Sequence, residues 1–501
     1  MSTSRTITLI IATLCCFCFF SAFTARESVA ATYYVAPNGS NSGAGSIDSP
    51  WATFDHTMDH LQPGDVLVLK DGVYKQSLNI KVSGTSGKPI TIKAQTDGSA
   101  VVDGDFIRTP FQIGYRNYIT VEGIYFKESN FHVIDIKMAD NLIFRRVTAS
   151  DCINPEVNYH VWRLDGVTNS LFEDCAGWGN GRNTMLIYKP SHHVTVRRFY
   201  GRYHDKQSSH GPVVIQIYGS HDCLLENVII TYDGQGTWGS PTEYYLSGIN
   251  IWDNNQSSTY NNKIYGCVVY DLNMGNYPAQ DYGVEAKSFQ TYGNKWLNNV
   301  SVNNMHGIVF SNDRTLTATN LTIANNVAGV VFRDNYENPA TDYLNLTNSI
   351  IVNSRLCGFD FYPADTPSGG GSSILHTYNT FYNNATQFYD GSHHPTENNV
   401  NPAFDTESYG YGAYLVRPSA LSGLGKDDAD IGAEVLYCYE DGILTDIPLW
   451  PWPLEDRIHK ELGISVTMKA NGGIWKTLDN VYPLKKLVPP VPPVPTGLKV
   501  N

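Results

Sequence analysis

One kind of short segment returns nine times between Phe144 and Phe381, and it limits the folds open to this chain more than any other feature. Phe144-Arg145-Arg146-Val147, Phe172-Glu173-Asp174-Cys175, Val196-Arg197-Arg198-Phe199 and Leu225-Glu226-Asn227-Val228 set the pattern. Tyr265-Gly266-Cys267, Leu297-Asn298-Asn299-Val300, Thr319-Asn320-Leu321, Asn348-Ser349-Ile350 and Asn379-Thr380-Phe381 continue it. Each sets a polar residue, commonly Asn, just before an apolar one. The final apolar positions lie about 21 to about 39 residues apart, which is the range of solenoid repeats. Helical repeats of constant length are excluded by the uneven spacing, whereas coils of a parallel β-helix with loops of variable size fit it. Alternation of period two within each segment makes it a strand. In that register Cys175 and Cys267 share an inward column with Val147, Phe199, Val228 and Val300, so they read as small core hydrophobes rather than bridged pairs or ligands.

The termini and the charge set further bounds. Arg5, an apolar run from Ile7 to Phe23 and the small residues Val29, Ala30 and Ala31 have the layout of a cleaved secretory signal, residues 1–31. A secreted or periplasmic monomer is expected, with no membrane span in the mature chain. A solenoid packs each coil only on its neighbours, so residues 32–433 are expected to form one domain despite their length. The net charge of −13 excludes general electrostatic binding of nucleic acid.

The ends of the periodic region point further. Tyr33-Tyr34-Val35-Ala36-Pro37-Asn38-Gly39-Ser40, Pro63-Gly64-Asp65, Gly72-Val73-Tyr74, Gly87-Lys88-Pro89-Ile90 and Val101-Val102-Asp103-Gly104 open it. Asn401-Pro402-Ala403-Phe404, Arg417-Pro418-Ser419-Ala420 and Asp430-Ile431-Gly432-Ala433 close it. This opening resembles the first coils of secreted polysaccharide lyases of the pectate lyase family 9 and chondroitinase B-like groups, and the closing coil looks like theirs. The resemblance implies an all-β fold, a single-stranded right-handed parallel β-helix, with a polysaccharide as ligand or substrate. Beyond Ala433 the periodicity stops. Residues 434–487, with Trp450, Trp452 and a short helix from Glu455 to Leu462, are expected to cap the open end of the solenoid, and residues 488–501 form a proline-rich tail or linker.

A second recurrent segment, Gly-apolar-x-apolar-x, begins at Gly248, Gly283, Gly307, Gly329 and Gly358. With its apolar positions inward, Asn250, Glu285, Val309, Val331 and Asp360 form one outward column, and Trp252, Lys287, Ser311, Arg333 and Tyr362 form another beside a concave surface. Extending the register backwards adds Tyr188 and Arg163. Aromatic rings stack on sugar rings and cations meet carboxylates, so Trp252, Tyr362, Tyr188 and Arg163 are candidate substrate-binding residues. A lyase removes the proton α to a uronate carboxylate and stabilises the enolate that develops. Lys287 is the candidate base, with Arg333 or Arg314 as neutraliser. A Ca²⁺ ion held by Asp253, Asp281 and Glu285 would serve the same end. The aspartate cluster that calcium-dependent family 9 relatives carry has no counterpart in Asn303-Asn304-Met305-His306-Gly307. Two alternatives stand beside the lyase: a non-catalytic carbohydrate-binding or surface rod, and a glycoside hydrolase. The latter needs convergent carboxylates, and the adjacent pair Asp427 and Asp428 falls in the closing coil. His192, His193, His393 and His394 read as polar loop residues. Trp238, Tyr244, Tyr245 and Tyr277 lie in long intervals that can line subsites.

Overall fold

The structure is a computed structural model. It describes residues 30–152, 158–204, 212–232, 246–252, 259–272, 282–313, 315–333, 343–362, 373–388, 394–450 and 452–463. Three long parallel sheets of 13, 12 and 11 strands build a right-handed parallel β-helix. The first sheet starts at Thr32–Val35, the second at Gly72–Tyr74 and the third at Leu78–Ile80, and each turn of the chain adds one strand to each in that order. No helix among the described residues is long and apolar enough to cross a membrane.

Equivalent residues stack in register, which is why the sequence repeats. Phe144 pairs with Phe172 and Phe172 with Val196, and the rings of Phe144 and Phe172 stack at 5.1 Å inside the core. The polar residue of the recurrent segment makes the turn from the first sheet to the second. Arg146, Asp174, Arg198, Asn227, Asn298, Asn320 and Asn348 all adopt left-handed backbone with φ between 50° and 60°. That conformation costs most residues about 1–2 kcal/mol, but Asn, Asp and Gly tolerate it. Gly266 occupies the same column; a Cβ there would come within 2.8 Å of Asn227 and of the Tyr439 ring.

Buried asparagines bond from coil to coil at all three corners of the solenoid. Asn299 accepts from the Cys267 amide at 2.8 Å and donates to the Ile264 carbonyl at 2.8 Å. Asn262, Asn294, Asn304 and Asn326 bond in the same manner between coils, so backbone groups that the turns leave open are satisfied. Cys152, Cys175, Cys223, Cys267, Cys357 and Cys438 are buried and unbridged. Burial pushes the thiols of Cys175, Cys223 and Cys267 up to about 12, keeping them protonated.

Residues 464–487, the tail 488–501 and the leader up to residue 29 lie outside the described residues. The described part of the C-terminal segment, residues 434–450 and 452–463, departs from expectation. It does not sit over the open end but returns along the flank of the solenoid, across the outward face of the second sheet. The turn asparagines grip it in succession. Asn348 accepts from Lys426 N at 2.9 Å, Asn320 donates to Asp430 O at 2.9 Å, Asn298 accepts from Glu434 N at 2.6 Å and Asn227 accepts from Tyr439 N at 2.6 Å. Farther back, Arg457 of the helix Glu455–Glu461 donates to the Arg146 carbonyl and to Thr148. The reason is apolar surface. Trp178, Tyr200, Ile229, Val268, Val300 and Ile350 point outward from the second sheet, and Leu436, Leu449, Trp450, Trp452 and Ile458 bury them in a cluster separate from the main core. Val300 thus leaves the inward column expected for it, because it pairs with Val268 and Asn299 takes the place next to Cys267. At the other end, Phe54, Met58 and Leu61 enter the main core beside Val35 and Tyr74.

Candidate functional site

The third sheet carries the predicted columns. Ile249, Ile251, Ile308, Phe310, Val330, Phe332 and Phe359 belong to the main core, so the residues alternating with them face outward. Tyr188 pairs with Tyr218 and Tyr218 with Trp252. Ile251 pairs with Ala286, which sets Trp252 beside Lys287. The column continues through Ser311, Arg333 and Tyr362. Tyr188, Trp252, Lys287, Arg333 and Tyr362 thus share one line of backbone positions. Arg163 does not join it. It pairs with Asp135 and Leu186 and lies in the neighbouring column with Gln216, Asn250, Glu285, Val309, Val331 and Asp360.

The side chains of Glu285, Lys287, Ser311, Arg333 and Tyr362 lie outside the described set, as do Arg314, Asp253 and Asp281 altogether. Trp238, Tyr244, Tyr245 and Tyr277 are likewise outside it. At the described end of the column, Tyr188 and Tyr218 stack at 5.1 Å, and Tyr218 meets Trp252 edge-on at 4.8 Å. Lys189 Nζ stands 5.7 Å from the Tyr218 ring centroid.

Beside this line the expected open concave surface is partly closed. Val309 and Val331 are 1% exposed and pack with Ala328 and Cys357 in a cluster of their own. Outward valines need cover from water, so this part of the face cannot be an open groove floor. Nearer the N-terminus this face carries buried amides. Asn183 donates to Gln216 at 3.0 Å and Gln216 to Asn250 at 3.3 Å, giving a buried run of amides. Arg163 is paired with Asp165 and stands 3.7 Å from Asp135, whose other partner is Lys137 at 3.2 Å. Its charge is therefore met within the protein, which weakens it as a receptor for a ligand carboxylate. Below it, His132 and His160 stack at 5.1 Å. Burial, then neighbouring positive groups, holds both imidazoles far below their usual range, so both are neutral.

Sequence reasoning missed a carboxylate cluster. Ligand atoms of Asp103, Asp105 and Glu128 lie within 4.8 Å of one another and can hold a metal ion. The fit is incomplete, because Lys127 already reaches Glu128 at 2.6 Å and Asp103 at 3.3 Å, and Lys75 reaches Asp105 at 3.0 Å. The cluster adjoins the strand Ile134–Lys137, five strands before Tyr282–Thr291 in the third sheet. At about 4.8 Å per strand that is roughly 24 Å. A cation held there would not touch Lys287. Its members come from two successive coils, so only their spacing between coils could have revealed them.

Residues 33–185 match the Pel9A-like, right handed β-helix region. Over that stretch the chain is similar to Pel9A-like β-helices. Pectate lyase L of Dickeya dadantii (strain 3937) is 34% identical over 116 residues, 21% of this chain and 27% of that protein. Pectate lyase PEL9 of Emericella nidulans is 34% identical over 79 residues, 15% of this chain and 19% of its own. Among solved structures, pectate lyase Pel9A aligns at 15% identity over 69% of this chain and 82% of its own, with a TM-score of 0.41. The chain spans about a quarter or less of the lengths of these curated relatives. The Pel9A-like region includes the acidic cluster and Arg163, and it ends before Tyr188, Trp252 and Lys287.

Proposed function

We propose that this protein acts outside the cytoplasm on an acidic, uronate-containing polysaccharide, which it binds along the outward face of the third sheet and cleaves by β-elimination. The observation that carries this reading is the single register aligning Tyr188, Tyr218, Trp252, Lys287, Arg333 and Tyr362. The match of residues 33–185 to the Pel9A-like β-helix region and the 34% identity to pectate lyases over 79 and 116 residues support the substrate class. Lys287, as free amine, takes the proton on the carbon α to the carboxylate. The electron pair left behind forms the ring double bond as the glycosidic C–O bond breaks, the leaving oxygen takes up a proton from water, and the Lys287 ammonium returns its proton to the hydroxide so formed. Arg333, two strands or about 10 Å along the column, offsets the enolate charge through its long side chain.

A second reading, a glycan-binding rod without catalysis, is favoured by the buried Val309 and Val331 beside the column. The two part in one experiment. Purified protein is incubated with pectate, alginate or chondroitin, with and without Ca²⁺, and the absorbance of the unsaturated product is followed. Elimination that Lys287→Ala abolishes supports the lyase. A retained glycan with no product supports the rod.

A further inference from the structure

Arg182 stands just before the strand Asn183–Tyr188 on the third sheet. Its backbone is fixed on both sides, donating to Tyr159 O at 2.7 Å and accepting from Val213 N at 3.1 Å. The guanidinium donates from Nη1 to Asn158 Oδ1 at 2.8 Å, while its Nε is buried with no hydrogen-bond partner. Among the described residues no carboxylate pairs with it. Arg163, Arg197, Arg198 and Arg457 each hold at least one.

The surroundings favour an anion. Asn183, the next residue, begins the amide run with Gln216 and Asn250. Burial lowers the ionisation range of Arg182, and Tyr218 of the aromatic line is the one group offsetting this. Its positive charge is also felt by His160, which pairs with Asn183. A half-buried cation without a counterion is unfavourable to the fold. A planar guanidinium with free N–H groups matches a carboxylate in a two-bond fork.

We propose that Arg182 is a carboxylate-binding residue of the ligand face, anchoring an acidic sugar about three strands, roughly 14 Å along the axis, before Lys287 and six residues, roughly 20 Å, across the sheet from its column. The proposal rests on the reading of the third sheet as the polysaccharide face and adds a subsite that its aligned column does not contain. Arg163, neutralised by Asp135 and Asp165, is then a support for the wall rather than the acid receptor.

The test uses the full chain and its Arg182→Gln and Arg182→Lys variants. Thermal midpoints are measured in sodium glucuronate against sodium chloride at equal ionic strength, with glucose as the neutral control. Glucuronate is expected to raise the midpoint of the wild type, less that of Arg182→Lys, and not that of Arg182→Gln. Without glucuronate, Arg182→Gln is expected to melt no lower than the wild type, since an uncompensated charge has been removed. Affinity for whichever acidic polymer the protein binds should fall about tenfold to a hundredfold in Arg182→Gln. No protection of the wild type, or equal protection of Arg182→Gln, would overturn the inference even if elimination is observed. A midpoint for Arg182→Gln several degrees lower without ligand would overturn it too, by marking a structural arginine. Arg182-dependent protection without elimination would instead leave the subsite standing and remove the lyase.

Discussion

Asn298 illustrates how single residues hold this molecule together. Its backbone takes the left-handed turn at φ 60°, and its amide group both accepts from Glu434 N and donates to Glu434 O. Asn298→Gly keeps the backbone preference and loses only the two bonds, about 1–2 kcal/mol. Asn298→Ala loses both and should cost about 1 kcal/mol more. Equilibrium urea unfolding of the two variants checks the order, and equal losses would show that the turn conformation is not limiting. Glu173 is a second case. It meets Arg145 at 2.9 Å, Arg198 at 2.9 Å and Arg197 at 3.2 Å. Burial alone would raise its carboxyl, but the Arg145 hydrogen bond and the charges of Arg198, Arg145 and Arg197 outweigh it and hold it below the usual glutamate range. A depressed folded value means the contribution is complete above the unfolded pKa of about 4.3 and is lost as pH falls through the folded value. Glu173→Gln should therefore cost about 3 kcal/mol at neutral pH, and its stability should decline less steeply than the wild type's as pH falls below about 4. Parallel acid limbs in the two proteins would reject the assignment.

At the scale of the element, the strands of the first and third sheets were legible because one face of each is apolar and alternation survives. The column Trp252, Lys287, Ser311, Arg333 and Tyr362 follows from that alternation, whereas Arg163 falls one outward position aside, because Asp165 is the residue of its strand that pairs with Tyr188 and both Arg163 and Asp165 satisfy the alternation. Arg182 escaped because it precedes its strand and has no periodic signature. The second sheet hid the returning segment for a different reason. Ile229-Ile230, Val268-Val269-Tyr270 and Ile350-Ile351-Val352 are buried on both faces, so they read as continuous apolar runs that do not say what covers them. Trp450 and Trp452 were recognised as packing residues, but the surface they cover was not recoverable from their position in the chain. Trp452 is 4% exposed within that cover. Trp452→Ala should destabilise by about 3–5 kcal/mol and increase binding of a hydrophobic dye; a surface tryptophan that binds sugar would leave both unchanged and lower glycan affinity instead.

For the whole molecule, the returning segment changes how a solenoid is expected to unfold. Coils that touch only their neighbours can fray from an end, because stability is a sum of local terms. Here residues 426–461 contact turns from Asn348 back to Arg146, from the strand Tyr343–Thr347 to the strand Leu142–Arg145 of the first sheet. These strands are seven steps apart, about 34 Å along the axis. Arg197 and Arg198 reinforce the crossing through Asp441 and Glu440. Opening any coil between them requires releasing part of this segment, so the coils are coupled over a distance that nearest-neighbour contacts alone would not reach. Scanning calorimetry of the chain ending at Gly463 is expected to give one cooperative transition across these coils. The chain ending at Ala433 keeps the solenoid and the contacts at Asn348 and Asn320 but loses the grip at Asn298, Asn227 and Arg146, and should melt lower and over a broader range, with amide exchange fastest in the uncovered coils from Thr148 to Val302. An equally sharp transition at an unchanged midpoint would mean that the solenoid is cooperative by itself and that the segment only shields the apolar face.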